Sequence, residues 1–215
     1  MYVEFIGVPG AGKTTLVEEV SKLLDREGIQ CATRATFFPK NRTWKYKLLW
    51  TLLHPQYLDF SIATLLFKLS RVKGSTFENL VTRLHEHQKL QYQLARHKGS
   101  VVLWDAGHVQ RLSNLAIRHI LSEVAVTELI YERLPRASLL VLVDTSIEES
   151  IARMKQREPA RAIDGLQEPQ VQTQQAQQTI FASLAEKGIA TARIDGMKPL
   201  TENATMVCER IKKQL

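Results

Sequence analysis

The chain has 215 residues, 44% of them apolar and 24% charged, enough to bury one sizeable core but leaving little room for a second full domain. Against 22 acidic residues stand 29 basic ones, a formal net charge of +7 that suits anionic partners, whether nucleic acid or small molecules carrying several phosphates. Two cysteines, Cys31 and Cys208, far apart and in no C-x-x-C arrangement, argue against a disulfide framework and a thiolate zinc site.

Met1 runs straight into an apolar strand, with no charged leader and no signal core, so a cytoplasmic protein is expected. That strand is YVEFI, and it is followed by GVPGAGKT at residues 7 to 14, which matches G-x-x-x-x-G-K-[ST] at every fixed position. Gly7, Gly10 and Gly12 allow the backbone to curl until successive N–H groups point at phosphate oxygens. In such a loop Lys13 reaches the β and γ phosphates and the Thr14 hydroxyl holds Mg²⁺. Leu16, Val17, Val20, Leu23 and Leu24 then fall on one helical face that ends at Gly28.

Ile29 to Arg34 reads as a short buried strand, after which the α/β rhythm stops. From Trp44 to about Lys98 the apolar spacing predicts about three helices, divided by Pro55 and Gly74. The most apolar stretch, Lys47 to Phe67, is broken by His54, Pro55 and Asp59, so it is not expected to span a membrane, although contact with a membrane surface stays open. His85 and His87, two apart on a helix, point in different directions and are not expected to share a metal.

The rhythm resumes with SVVLWD, a strand ending in Asp105, and a helix is expected from about Val109 to Glu132. SLLVLVD again ends in an acid, Asp144, which reads as shaping the turn into a helix capped by Ser146 and Glu149. On that helix Arg153 and Arg157 are four apart and share a face, with Arg161 following. The glutamine-rich run from Gln167 to Gln178 reads as a solvated helix face without chemistry of its own. A strand from Ile189 to Ile194 and a helix begun near Thr201 close the chain. Five strands alternating with helices predict a parallel sheet, with polar residues gathered at the carboxyl ends of its strands.

On GVPGAGKT, Arg34 after the second strand, the helical stretch, Asp105, LVDTSIEESIARMKQR and the C-terminal strand and helix, the chain resembles the nucleoside and nucleoside-monophosphate kinase family of P-loop proteins. Thymidylate kinase-like members are the most similar, over nearly the whole length. The resemblance implies an α/β three-layer fold with a five-stranded parallel sheet of order 2-3-1-4-5. It implies one domain over 1–215: a core of 1–34 and 99–215, an acceptor-binding helical insertion at about 41–98, and a basic lid at about 155–169. The implied reaction moves the γ-phosphoryl group of Mg-ATP to a small acceptor, with Mg²⁺ as cofactor.

By the same resemblance, Lys13, Asp105, Arg153 and Arg157 take catalytic roles. Gly7, Pro9, Gly10, Ala11, Gly12, Thr14 and Thr15 surround ATP together with Lys13, Arg153 and Arg157, and Thr14 and Asp105 hold the metal. Arg34, Arg83, Gln88 and Gln91 face the acceptor, and His108, just past Asp105, and Arg111, six residues on from it, are expected there by their position. Two departures mark a rebuilt acceptor pocket: Ala106 stands where the family has an arginine after the acid, a loss for which Arg111 is expected to compensate, and ATFFPK replaces a glutamate-proline-glycine-glycine run. A nucleoside or nucleotide-like acceptor is expected, with a sugar, a lipid-linked acceptor or a nucleic-acid-linked ATPase as alternatives. Stable nucleic-acid binding is not expected, no N-K-x-D motif speaks for a GTPase switch, and homodimerisation stays open.

Overall fold

The computed structural model describes residues 1–37, 43–72, 76–97, 99–158 and 165–215. Strand β1 (Tyr2–Ile6) leads through the glycine loop into helix α1 (Lys13–Arg26), and β2 (Cys31–Thr33) runs directly into the short α2 (Arg34–Phe37). Helices α3 (Trp44–Leu53), α4 (Phe60–Val72) and α5 (Phe77–Arg96) follow, with a 3₁₀ turn at Pro55–Tyr57. Then come β3 (Val101–Asp105), α6 (His108–Ile117), α7 (Glu123–Arg133), β4 (Leu139–Asp144), α8 (Ile147–Arg157), α9 (Gln167–Glu186), β5 (Ala190–Asp195) and α10 (Leu200–Lys212).

The strands are all parallel, as their alternation with helices predicts, and pair in the order β2-β3-β1-β4-β5 that the resemblance implies. Parallel strands are covered on both faces, which is why β1, β3 and β4 are nearly continuous apolar runs. On one face Val3, Phe5, Leu103 and Val141 pack against Val17 and Val20 of α1 and Val207 and Ile211 of α10. On the other, Ile6, Leu140 and Leu142 meet Leu112 and Leu115 of α6 and Ile180 and Leu184 of α9, while Val102 and Trp104 meet Leu90 of α5.

The helical stretch divides at Pro55 as expected; Gly74 lies outside the described residues, as do Arg161 and most of the lid segment between α8 and α9. The single helix expected from Val109 to Glu132 is two helices. His119 takes a left-handed φ of 53°, the Ile120 and Leu121 amides turn back to the Leu115 carbonyl, and the Ser122 side chain caps α7 by accepting from the Ala125 N–H. The glutamine run is not merely a solvated face either. Gln170 and Gln177 are buried; Gln170 Oε1 accepts from the Ser150 hydroxyl at 2.6 Å, and Gln174 Nε2 donates to Asp144 Oδ1 at 2.9 Å. Among the described residues no helix is long and apolar enough to cross a membrane.

Candidate active site

The glycine loop sits between the carboxyl end of β1 and the start of α1. Gly10 and Gly12 hold φ of 87° and 94°, a region that L side chains avoid. A Cβ at Gly10 would also strike the Ser150 carbonyl oxygen of α8. Gly12 caps α1 without a side chain, so the first amides of the helix and its positive end are left for an anion. Pro9, Thr14 and Thr15 are exposed at the mouth of the loop, while Ala11 is buried beneath it.

Lys13 folds back over the loop, where its Nζ donates to the carbonyls of Gly7 and Val8, both at 2.8 Å. Burial lowers its pKa to about 8, with Asp105 opposing that shift and the Arg157 charge adding to it. The Thr14 hydroxyl donates to Asp105 Oδ2 at 2.6 Å. A hydroxyl and a carboxylate oxygen this close form the hard, oxygen-only donor pair that suits Mg²⁺, which takes its remaining ligands from phosphate and water. Among the described residues no group of three or more His, Cys, Asp or Glu gathers as a metal site. The other strand-end acid, Asp144, is engaged elsewhere, by an ion pair with Arg193 and by Gln174.

Beside the loop opens a cavity of about 330 Å³, lined by Gly12, Thr15, Arg153, Gly196, Lys198 and Asn203. Arg153 forms one wall: its Nε donates to Glu149 at 2.7 Å and its Nη2 to the Gly196 carbonyl at 3.1 Å. Asn203 supports the other, donating to the Asp195 carbonyl at 2.7 Å while its own Oδ1 is buried without a partner among the described residues. Sequence reasoning missed Gly196, Lys198 and Asn203 because the turn after β5 has no motif, only its place at a strand's carboxyl end. Arg157 lies outside the cavity, exposed and paired with Glu158 at 3.0 Å.

On the far side of Asp105 the insertion meets the core. Arg34, at the end of β2, and Arg111, on α6, each reach one oxygen of Glu86 on α5, both at 2.6 Å. Although burial works against its charge, these two guanidinium groups hold the Glu86 carboxyl below its ordinary pKa. Arg111 Nε also donates to the Ala106 carbonyl at 3.0 Å, so it stands beside the position where the resembled family carries its arginine. Ala106 itself takes a left-handed φ of 57°, strain placed directly after Asp105. Arg83 completes the cluster: burial, then the charge of Arg111, lowers its pKa, while Glu86 opposes. Arg83 Nη1 and Arg111 Nη1 are buried with no partner among the described residues.

The remaining sequence-named residues sit deeper. Gln88 is fully buried and ties α5 to the end of α3, its Nε2 donating to the carbonyls of Thr51 and His54 at 3.3 Å each. Gln91 Nε2 lies 3.0 Å from His87 Nε2. An amide nitrogen only donates, so His87 accepts there at Nε2 and its Nδ1–H donates to His108 Nδ1, 3.2 Å away. His108 is left with its proton on Nε2, buried and without a partner among the described residues. Burial keeps both rings neutral, lowering His87 to about 4 and His108 well below the ordinary imidazole value. His85 faces elsewhere, edge-on to Trp50.

The architecture is matched by solved proteins. Over 99% of its length the chain is similar to a deoxyadenosine kinase from M. mycoides with bound dCTP, at a TM-score of 0.56 and 13% identity over 100% of that chain. A second structure of that enzyme, with bound dATP, matches at 0.53 and 13%, again over 99% of this chain and 100% of that one. The two share this fold. No protein-family model and no curated protein matches the sequence. In this fold the glycine loop, the Thr14–Asp105 pair and the arginine cluster gather at the carboxyl ends of the strands, where ligands of α/β proteins bind.

Proposed function

We propose that the chain is an ATP-dependent phosphotransferase that moves the γ-phosphoryl group of Mg-ATP to a small nucleoside or nucleotide-like acceptor. The observation that carries this reading is the position of Asp105. Its carboxylate meets Thr14 of the phosphate loop, and the carbonyl of the next residue meets Arg111 of the arginine cluster, so one acid stands between a donor site and an acceptor site. The likeness to deoxyadenosine kinases supports the same reading at the level of fold.

In this reading the base of ATP enters the cavity beside Arg153, and Lys13 leaves the carbonyls of Gly7 and Val8 for the phosphates. Thr14 and Asp105 hold Mg²⁺, which supplies charge neutralisation on the phosphates. The acceptor hydroxyl oxygen forms a bond to the γ phosphorus as the bond to the β–γ bridging oxygen breaks; ADP leaves with that electron pair, and Asp105 takes the hydroxyl proton. Lys13, Arg153 and Arg157 stabilise the charge that spreads over the transferred group. The core of 1–34 and 99–215 carries the donor side and the insertion at about 41–98 the acceptor side, with the basic lid assigned to about 155–169. The protein works in the cytoplasm, and homodimerisation is tested by its mass in solution.

Arg34, Arg83 and Arg111 gather round the Glu86 carboxylate, and Nη1 of Arg83 and Nη1 of Arg111 are buried with no partner among the described residues. That surplus of positive charge favours an acceptor bearing an anionic group, as in a thymidylate kinase-like reaction, over an uncharged nucleoside. A second reading, a lipid-linked acceptor, is favoured by Leu49, Leu52 and Leu53, which stand 57 to 66% exposed on one stretch of α3. Assaying nucleosides, nucleoside monophosphates and lipid extracts side by side separates the two: phosphorylation of a soluble monophosphate supports the first reading, and activity only with vesicles overturns it in favour of the second.

A further inference from the structure

β1 lies inside the sheet, between β3 and β4, and all its residues but one are apolar or aromatic. The exception, Glu4, is 1% exposed. A buried carboxylate is costly unless it is hydrogen-bonded, and its partners are specific. It accepts from the Tyr2 hydroxyl at 2.6 Å and from the backbone N–H of Gln110 at 3.0 Å.

Gln110 is the third residue of α6, whose cap, Gly107, offers no side-chain hydrogen bond. Glu4 therefore satisfies an opening amide of that helix from another element, as an N-cap side chain otherwise does. The approach requires glycine at the cap: a Cβ on Gly107 would lie 2.5 Å from the Tyr2 hydroxyl oxygen and 2.6 Å from the Glu4 carboxyl carbon. From its fixed place, the Gln110 side chain accepts at Oε1 from the N–H of Gly7, 3.0 Å away. Gly7 opens the phosphate loop, and its carbonyl is one of the two that Lys13 occupies. The next residue of α6 is Arg111, which holds Ala106 and Glu86 on the acceptor side.

We infer that Glu4 and Gln110 are positioning residues: the Glu4 carboxylate fixes the start of α6, and Gln110 from there pins the Gly7 N–H, keeping the donor loop and the acceptor arginines in one register. Neither side chain is placed against a substrate. Their effect on ATP rests on the phosphotransferase reading, whereas their effect on the loop does not.

The experiment measures amide hydrogen exchange at Gly7 by NMR in the ligand-free wild type and in Gln110→Met, Glu4→Leu and Glu4→Gln, and then the affinity of each for Mg-ATP. Gln110→Met keeps the length but removes the acceptor, so Gly7 exchange accelerates by about tenfold, and Mg-ATP weakens by about fivefold with KM moving more than kcat. Glu4→Leu acts in the same direction from a distance. Glu4→Gln retains an acceptor oxygen and stays within about twofold of wild type. Unchanged Gly7 exchange in folded Gln110→Met overturns the proposal, and wild-type exchange in Glu4→Leu overturns the part given to Glu4. Should Glu4→Leu fail to fold, Gln110→Met and Glu4→Gln still decide. Wild type that does not bind Mg-ATP overturns the phosphotransferase reading, while Gly7 exchange continues to test this one.

Discussion

Replacing Glu4 by glutamine is expected to change how stability depends on pH. Burial raises the Glu4 carboxyl from 4.5 to about 7, even though the Tyr2 hydroxyl, the N–H of Gln110 and the charge of Arg111 pull the other way. Between those values the folded chain binds a proton that the unfolded chain has released, so stability falls as pH rises. The contribution is complete below the unfolded value and is lost as pH rises through about 7. A gap of about 2.5 units at about 1.4 kcal/mol each amounts to about 3 kcal/mol, most of it lost between about pH 5 and about pH 8. His87 and His108, whose folded values are lowered, slope the opposite way at acid pH, so wild type alone would mask the effect. Urea denaturation of wild type and Glu4→Gln across that range isolates it, because the histidine contributions cancel in the difference. A wild-type advantage that shrinks by about 2–3 kcal/mol is expected; a difference flat to within about 0.5 kcal/mol would refute the assignment of a buried carboxyl with a raised pKa.

Three further outcomes follow from the geometry. Glu86→Gln removes the carboxylate that Arg34 and Arg111 share, costing about 2 kcal/mol in denaturant melts after allowance for partial exposure, and Arg111→Met in the same chain returns part of that loss. Arg153→Ala opens one wall of the cavity beside the loop and raises the KM for ATP by about tenfold, read from initial rates at varied ATP. Gly10→Ala, at φ 87° against the Ser150 carbonyl, destabilises the fold by about 2 kcal/mol and weakens nucleotide binding, read from thermal melts with and without Mg-ATP.

The glycine loop, the parallel sheet and the place of Asp105 at a strand's end were legible because each has a local cause: glycines where φ is positive, apolar runs where both faces are covered, an acid closing an apolar run; the strand order came from the family resemblance alone. The helix break at His119 was not, since no glycine or proline marks it and the left-handed turn is stabilised by returning hydrogen bonds. Glu86 escaped notice because a glutamate on a helix reads as solvated until the fold brings Arg34 and Arg111 to it from other elements. Glu4 was hidden by its strand: one acid among apolar residues gives no periodic signal, and its partner on α6, Gln110, lies more than a hundred residues away. Gln88, picked out for an acceptor-site task, also holds the end of α3 through its Nε2, a tie that its place on the helix pattern did not announce.

The central claim is tested most directly by incubating wild type and Lys13→Ala with Mg-ATP and a mixed pool of nucleosides, nucleoside monophosphates, sugars and lipid extracts, and by following phosphoryl gain by mass spectrometry. Wild type is expected to add one phosphoryl group to a nucleoside or nucleotide-like compound while Lys13→Ala yields at least about a hundredfold less. ATP consumed at the same rate with and without the pool, with no compound gaining phosphate, contradicts the account.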